Sequence, residues 1–293
     1  MIVTIHNDQL TLTADTLGAQ MQSITSYKGT EYLWNGDERY WKGRAPVLFP
    51  FVARLKDKTY TVNGGTYQMK IHGFASACEF EVAEQTESSV TFVLRDNEVT
   101  RAQFPFAFLF KVRYALKENT VEVTYTEDNP EDEMLHFGLG GHPGFNVPLK
   151  EGTSFEDYYL RFSQPCEPDR VGFSSEILVS GVDKRYELED GQIIRLRHDL
   201  FDHDAIVLKN MAKSVTIASD KTKRYVTVSY PQMPYVGFWH AERKAAPYVC
   251  VEPWVSLPAR DGVIEDFACK GDLIHLPGHG SYKNIWYITI GEE

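Results

Sequence analysis

The chain has 293 residues, a formal net charge of -11 and 43% hydrophobic residues, which describes a globular protein long enough to bury a sizeable core. The acidic balance argues against nucleic acid and anionic membrane surfaces as partners, because both need basic patches. There is no run of 18 apolar residues, and the N-terminus lacks the pattern of a secretory signal. A cytoplasmic protein is therefore expected, and small neutral ligands are not excluded.

In chain order, the first constrained segment is PVLFPFVARLKDK at residues 46–58. Pro46 and Pro50 exclude a central strand throughout, since proline cannot donate to a sheet ladder. The segment leads into Arg54, whose planar guanidinium suits paired hydroxyls or a carboxylate, a surface ion pair being the alternative. His72 follows, next to Gly73, and in a β protein such a histidine is more often structural than catalytic.

Apolar and polar residues alternate along several segments, as is typical of half-buried strands. These segments are residues 110–116, 120–126, 225–230 and 286–290. Turn signals such as Asn63-Gly64-Gly65 separate the strands, and helical periodicity is scarce, with one short candidate at residues 98–101. Many short strands with close turns predict an all-β protein, an antiparallel sandwich or barrel, formed as one domain over residues 1–293.

The most informative motif is GGHPGF at residues 140–145. Glycine permits unusual backbone angles, and proline removes a donor, so the segment cannot be the middle of a regular strand. It predicts a rigid, irregular turn with the His142 imidazole at its apex. Because imidazole titrates near neutral pH, an exposed His142 would be able to donate or accept a proton. The alternative is a turn histidine that bonds only its neighbours.

Two later segments carry acids. FDHDAIVL, at residues 201–208, places Asp202 and Asp204 beside a histidine, ahead of an apolar strand. VCVEPW, at residues 249–254, places Glu252 among apolar residues, which predicts partial burial and a raised pKa. Such a carboxyl suits general-base catalysis near neutral pH, and a buried structural ion pair is the alternative.

Metal and nucleophilic chemistry have weaker support. No His-x-His or HExxH spacing occurs, and His72 lies 70 positions from His142, so no metal is expected. No GxSxG motif is present. The four cysteines are widely spread, without a CxxC pair, and predict reduced, partly buried thiols: Cys78, Cys166, Cys250 and Cys269.

Taken together, six motifs in this order and at this spacing resemble the aldose 1-epimerase (galactose mutarotase) superfamily, and among its members the LacX-like bacterial branch. The resemblance extends from about residue 34 to the end of the chain. The motifs are WNGD at 34–37, YW at 40–41, PVLFPFVARL from 46, KIHGFA from 70, GGHPGF from 140 and CVEPW from 250.

The resemblance implies a large antiparallel β-sandwich, or supersandwich, that interconverts the α and β anomers of a free hexose without a cofactor or metal. In similar enzymes the residue matching His142 is the general acid at the ring oxygen, and the residue matching Glu252 is the general base at the anomeric hydroxyl. The matches to His72 and Arg54 bind the sugar. An aspartate matching Asp204 binds ring hydroxyls, although Asp202 aligns there as an alternative.

The residue chemistry is compatible with this reaction, because ring opening and closure require one acid and one base and no covalent intermediate. Two other functions remain open. One is a hexose-6-phosphate 1-epimerase, which would need a basic pocket rim, and the other is a sugar-binding protein without catalysis. The oligomeric state, monomer or homodimer, is also open. Basic candidates for the rim are Arg39, Arg44, Arg54, Lys56 and Lys58. Aromatic candidates for stacking on a pyranose are Trp34, Trp41, Phe145 and Trp254, although core packing is the better explanation for most of them.

Overall fold

The computed structural model describes residues 1–293 and is about 45% strand and 6% helix, which confirms the all-β prediction. The single α-helix, α1, is Glu98–Arg101, and short 3-10 helices lie at Lys56–Lys58, Ala75–Ala77, Phe155–Asp157 and His198–Phe201. None of the helices combines the length and the apolar character that a bilayer crossing requires. The strands are β1 Ile2–His6, β2 Leu10–Asp15, β3 Gln20–Ser26, β4 Val47–Leu48, β5 Thr59–Val62, β6 Gly65–Gln68, β7 Glu81–Gln85, β8 Ser89–Arg95, β9 Leu109–Lys117, β10 Thr120–Asp128, β11 Leu135–Phe137, β12 Gly140–Gly141, β13 Gly144–Asn146, β14 Tyr158–Phe162, β15 Asp169–Arg170, β16 Lys184–Arg185, β17 Ile193–Arg195, β18 Ile206–Lys209, β19 Ser214–Ser219, β20 Tyr225–Ser229, β21 Tyr235–Trp239, β22 Tyr248–Trp254, β23 Glu265–Asp266, β24 Ile274–Leu276 and β25 Ser281–Gly291.

Two large antiparallel sheets form the sandwich. One has nine strands, in the order β17-β14-β19-β20-β25-β10-β9-β8-β7. The other has eight, in the order β16-β15-β18-β21-β22-β12-β4, with β13 also pairing to β22. Three small sheets complete the fold: β1-β2-β3, β11-β24, and β6-β5-β23, in which β23 runs parallel to β5.

The core lies between the inner faces of the two large sheets. On β10, Val121 and Val123 are buried there while Glu122 points outward, as the alternating sequence predicts. Residues from the eight-stranded sheet, such as Phe238 and Val251, belong to the same cluster of 70 buried residues. Full burial of each large apolar side chain stabilises the fold by roughly 1.5–3 kcal/mol.

Strand β22 is buried on both faces. Val249 and Val251 point into the sandwich core. Cys250 and Trp254, at the alternate positions, belong to separate apolar clusters. Glu252 lies midway between Cys250 and Trp254, two positions from each, so its side chain is on their face, the one turned away from the core. This outer face of the eight-stranded sheet carries the site described below.

The GGHPGF segment is an interrupted strand, so the prediction of a turn is wrong. β12 and β13 both run antiparallel to β22, with Gly140 opposite Trp254 and Gly144 opposite Cys250. The register is the same on both sides of the interruption, so the chain does not reverse. Pro143 supplies no N–H, and its carbonyl accepts a hydrogen bond from Val251 at 3.1 Å, which keeps the segment on the sheet.

Candidate active site

The unchanged register around Pro143 places His142 directly opposite Glu252. Both side chains lie on the outer face, and Nε2 of His142 is 3.3 Å from Oε2 of Glu252. Their separation of 110 positions in sequence is therefore closed by one antiparallel strand pair. The backbone N–H of His142 donates to the Pro46 carbonyl on the other side, at 3.1 Å, so that the imidazole is held between two neighbouring strands.

Glu252 is almost completely buried, with 1% of its side chain exposed. Its Oε1 atom has no hydrogen-bond partner within the chain. Burial, with a smaller contribution from the negative charge of Asp204, raises the pKa of Glu252 well above its usual value. The sequence predicted this burial and the direction of the pKa shift from the apolar neighbours of Glu252.

The His142 ring is fixed by aromatic neighbours. The Trp41 ring stacks on it with centroids 4.9 Å apart, and Trp239 meets it edge-on at 5.7 Å. Its Nδ1 atom is buried and has no hydrogen-bond partner. Burial, and then the neighbouring His72, lowers the pKa of His142 well below its usual value. Both members of the His142–Glu252 pair are therefore favoured in their uncharged forms.

His72 reaches the pair from a different segment and meets the His142 ring edge-on, with centroids 5.4 Å apart. Its Nδ1 accepts a hydrogen bond from the Ala53 backbone N–H at 3.2 Å, and the backbone N–H of His72 donates to the Ala53 carbonyl at 2.9 Å. Burial, followed by the charge of Arg54, lowers the pKa of His72 to about 4. With Nδ1 accepting and the ring neutral, the proton lies on Nε2, where it is a donor.

Arg54 and Asp204 lie on the same side of the site as His72. Nη2 of Arg54 is 3.5 Å from Oδ2 of Asp204, and 16% of the Asp204 side chain is exposed. Three residues here, Ala53, His72 and Asp204, have positive φ angles of 59°, 64° and 71°. Such backbone angles are strained in non-glycine residues and cluster at functional sites.

These side chains border one cavity of about 360 Å³, a size suited to a monosaccharide-scale ligand. All five predicted site residues line it: Arg54, His72, His142, Asp204 and Glu252. The alternative aspartate, Asp202, lines a neighbouring cavity, which Asp204 also borders.

The aromatic predictions divide. Trp41 and Trp254 line the cavity, whereas Phe145 is buried in the sandwich core and Trp34 packs against Tyr248 beneath the site. For Phe145 and Trp34 the alternative of core packing is therefore the correct one. Four further residues that line the cavity were not predicted from the sequence: Trp239, Glu242, Phe173 and Ile177. Only Trp239 had a signal in the sequence, because it lies at the end of an apolar strand.

Of the basic residues considered for a phosphate site, Arg54 alone lines this cavity. Lys56 pairs with Glu176 at 2.9 Å, Arg39 pairs with the neighbouring Asp37, and Arg44 donates to the Gln22 carbonyl. The cavity borders three carboxyl groups, those of Asp204, Glu242 and Glu252, against one guanidinium.

The arrangement offers a buried carboxyl and an imidazole within reach of one small ligand, beside hydrogen-bonding groups and indole faces. Proton transfer to and from such a ligand is the chemistry that these groups supply.

Comparisons with known proteins show the family to which the chain belongs. A family model described as aldose 1-epimerase matches residues 1–259. The chain is 33% identical to the chromosomal LacX protein of Lactococcus lactis subsp. lactis over 302 aligned positions, covering 99% of each chain. The structure of a galactose mutarotase related enzyme from Lactobacillus acidophilus has a TM-score of 0.95 at 34% identity and covers 100% of this chain and 98% of its own. A galactose mutarotase-like protein from Lactobacillus casei has a TM-score of 0.92 at 31% identity, covering 99% and 100%. The chain belongs to the aldose 1-epimerase family.

Proposed function

We propose that this protein is a mutarotase that interconverts the α and β anomers of a free hexose. Glu252 is the general base and His142 the general acid. The observation that carries the proposal is the 3.3 Å contact between their reactive atoms in one cavity of monosaccharide size.

Ring opening transfers two protons between the enzyme and the sugar, and no other group is transferred. The Glu252 carboxylate takes the proton from the anomeric hydroxyl, and the electron pair left on that oxygen forms the C1 carbonyl. The bond between C1 and the ring oxygen breaks, and the imidazolium of His142 gives its proton to that oxygen. Rotation about C1–C2 presents the other carbonyl face, and the reverse transfers close the ring as the opposite anomer.

The pair needs only one proton between its two members. Ring opening begins with that proton on His142 and ends with one on Glu252, so the total charge of the buried pair never changes. Burial favours the uncharged form of both groups, which is the form present while the sugar is open. The charged form has the same number of protons, so converting one into the other requires no proton from solvent.

The other groups suit the binding of a polyhydroxylated ring. His72 offers an Nε2 donor, and the ion-paired Arg54 and Asp204 offer a donor and an acceptor side by side. The indole faces of Trp41 and Trp254 suit the apolar C–H face of a pyranose. Each such hydrogen bond contributes about 0.5–1.5 kcal/mol, or more where a group is charged.

The charge balance of the cavity favours a neutral sugar. Beside the His142–Glu252 pair, which carries no net charge, the carboxyl groups of Asp204 and Glu242 outnumber a single, already paired guanidinium, so a phosphate dianion would be repelled. The alternative, a hexose 6-phosphate, has one supporting observation. The neighbouring cavity, of about 760 Å³, is bordered by basic residues from three segments, namely Arg170, Lys184 and Arg243.

Polarimetry on freshly dissolved α anomers tests the proposal. Wild type should accelerate relaxation over the buffer rate, and Glu252→Gln and His142→Asn should each lower the rate by about 10²–10⁴-fold. Glu242→Gln is the matched control, since it alters a carboxyl in the same cavity that is not part of the pair; it should lose less than about tenfold. Full activity in Glu252→Gln would reject the assigned base, and full activity in His142→Asn the assigned acid.

A substrate panel separates the alternatives. Faster turnover of glucose or galactose than of glucose 6-phosphate supports the free sugar, and the reverse order supports the phosphorylated one. Tryptophan fluorescence provides a binding signal independent of turnover, because Trp41 and Trp254 line the cavity. Sugar binding without any acceleration in wild type would instead identify a non-catalytic sugar-binding protein.

A further inference from the structure

Cys250 is a buried thiol next to the acid–base pair for which the proposed reaction has no role. It lies two positions before Glu252 on β22, so both side chains occupy the outer face. Its side chain is completely buried and forms no disulfide. A ring nitrogen of His142, the sulfur of Cys250 and a carboxylate oxygen of Glu252 all lie within 4.8 Å of one another. No spacing in the sequence indicates this group, because two strands bring it together.

The three atoms match the donor set of a zinc ion. Zinc is bound by imidazole nitrogen, thiolate sulfur and carboxylate oxygen, with four ligands in a tetrahedron. At Zn–N and Zn–O distances of about 2.0–2.2 Å, the tetrahedral N···O edge is roughly 3.3–3.6 Å long. The observed Nε2···Oε2 distance is 3.3 Å. The pair is therefore already spaced as two ligands of one ion. The Cys250 sulfur lies within 4.8 Å of both atoms, about 1 Å beyond the edge of a tetrahedron with a Zn–S distance of about 2.3 Å, so it becomes the third ligand by a small side-chain shift.

The surroundings indicate a reversible site. A resident metal site normally has a hydrogen-bonded second shell, in which each ligating histidine donates from its other ring nitrogen. Nδ1 of His142 has no such partner, and neither has Oε1 of Glu252. The atoms that would bind a metal are thus present, but the hydrogen bonds that would orient their side chains and strengthen metal binding are missing. The cavity beside the pair leaves a fourth position for water.

We propose that zinc and ions of similar softness bind to His142, Cys250 and Glu252 and inhibit the enzyme reversibly. The bound ion takes the Nε2 lone pair of His142 and a carboxylate oxygen of Glu252, so the one proton that this pair shares and the thiol proton of Cys250 are both released to solvent. Neither catalytic group is then free to exchange protons with a sugar. The inhibition rests on the proposed function, whereas the binding site stands on geometry alone.

Zinc binding is measured first, by competition with a chromophoric chelator, so that the result does not depend on turnover. Wild type should bind one Zn²⁺ per chain, and Cys250→Ala should lower the affinity at least tenfold. Cys269→Ala is the matched control, because Cys269 is exposed and lies outside the site, and it should bind zinc like wild type. Equal affinity in wild type and Cys250→Ala would overturn the proposal, as would loss of binding in Cys269→Ala.

Polarimetry then tests the inhibition. Zinc should inhibit wild type competitively with sugar and chelator should restore the rate, while Mg²⁺, which prefers oxygen ligands, should have no effect at the same concentration. Cys250→Ala should keep its basal rate within a fewfold and need at least tenfold more zinc for inhibition. Inhibition of Cys250→Ala at the wild-type zinc concentration would contradict the site. A wild type that binds zinc through Cys250 yet never accelerates mutarotation would refute the proposed function and leave the metal site intact.

Discussion

Gly237 is the antiparallel partner of Glu252 on the neighbouring strand β21. It is the one residue without a side chain in a row of four that crosses the eight-stranded sheet. The row runs from Val207 through Gly237 and Glu252 to His142. A Cβ on Gly237 would lie 3.4 Å from the Glu252 Cβ and 3.3 Å from Cζ2 of Trp254. The absence of a side chain therefore keeps space open immediately beside the proposed base.

We expect Gly237→Val to lower kcat/KM by roughly tenfold or more, because its branched side chain would stand between Glu252 and the ligand. Gly237→Ala is the control, since its single methyl group requires only a slight shift of the Trp254 ring, and it should stay within about threefold of wild type. Steady-state polarimetry, with circular dichroism to verify folding, checks both. Unchanged kinetics in Gly237→Val would show that the ligand does not occupy this space.

The two ring nitrogens of His72 have different roles. Nδ1 accepts the Ala53 N–H, which is a structural bond, whereas Nε2 is the donor proposed to bind the ligand. Asparagine at position 72 tolerates the positive φ angle, and its side-chain oxygen can accept the Ala53 N–H as Nδ1 does. His72→Asn should therefore keep near-normal stability and raise KM by about 5–10-fold through loss of the Nε2 donor. His72→Ala should raise KM and also lower stability. Denaturant unfolding together with kinetics distinguishes them; a normal KM in both variants would remove His72 from the binding site.

Asp204 borders both the site cavity and the neighbouring one, whereas Asp202, two residues away, does not line the site cavity, which provides an internal control. Asp204→Asn should raise KM about tenfold, because it removes a charged acceptor and leaves Arg54 without its partner. Asp202→Asn should change KM less than twofold. The opposite order, measured with the same sugar, would assign the ring hydroxyls to Asp202.

Gly73 is required by both its backbone angle and its surroundings. Its φ is 77°, and a Cβ would lie 2.2 Å from the Phe49 carbonyl oxygen, a backbone atom that cannot turn aside. Gly73→Ala should cost roughly 2–4 kcal/mol of unfolding free energy and displace the adjacent His72. Gly64→Ala is matched, with φ of 76° and open space around it, and should cost only about 1–2 kcal/mol. Equal losses in urea unfolding would show that the contact with Phe49 relaxes freely.

His240 should make stability depend on pH. It is completely buried, its Nδ1 lies 2.9 Å from the Ala241 carbonyl oxygen and its Nε2 lies 3.1 Å from Nδ1 of His198. Burial lowers the pKa of His240 to about 4, against about 6.5 in an unfolded chain. Between these values the unfolded state binds the extra proton, so stability falls as the pH falls from 6.5 towards 4, by up to about 3 kcal/mol.

Urea unfolding at a series of pH values measures this effect. His240→Gln should reduce the slope of stability against pH by about one proton. A residual slope remains from His72 and His142, because the pKa of His72 is lowered to about 4 and that of His142 lies well below its usual value. Phe92→Leu, a core change at a ring that packs on Tyr114, should lower stability equally at every pH. An unchanged slope in His240→Gln would mean that His240 is protonated alike in the folded and unfolded states.

Local patterns determined much of the fold. The alternation of apolar and polar residues at 120–126 predicted strand β10, because a half-buried strand buries every second side chain. The apolar neighbours of Glu252 predicted a buried carboxyl. The ordered motifs indicated the family and its site residues by resemblance. The break at Pro143 was also visible in sequence, because proline cannot donate to a ladder.

Only the tertiary structure decided which residues distant in sequence lie side by side, because strand pairing brings them together. Whether GGHPGF turned back or ran along β22 depended on a partner 110 positions away, and only that pairing sets His142 opposite Glu252. The same pairing adds Cys250 to the group. Which tryptophans face the ligand depended on how the sheets stack, so Trp34 and Trp41 look alike in sequence and differ in the fold. Register between distant strands follows from the packing of the whole core, and no local run of residues records it.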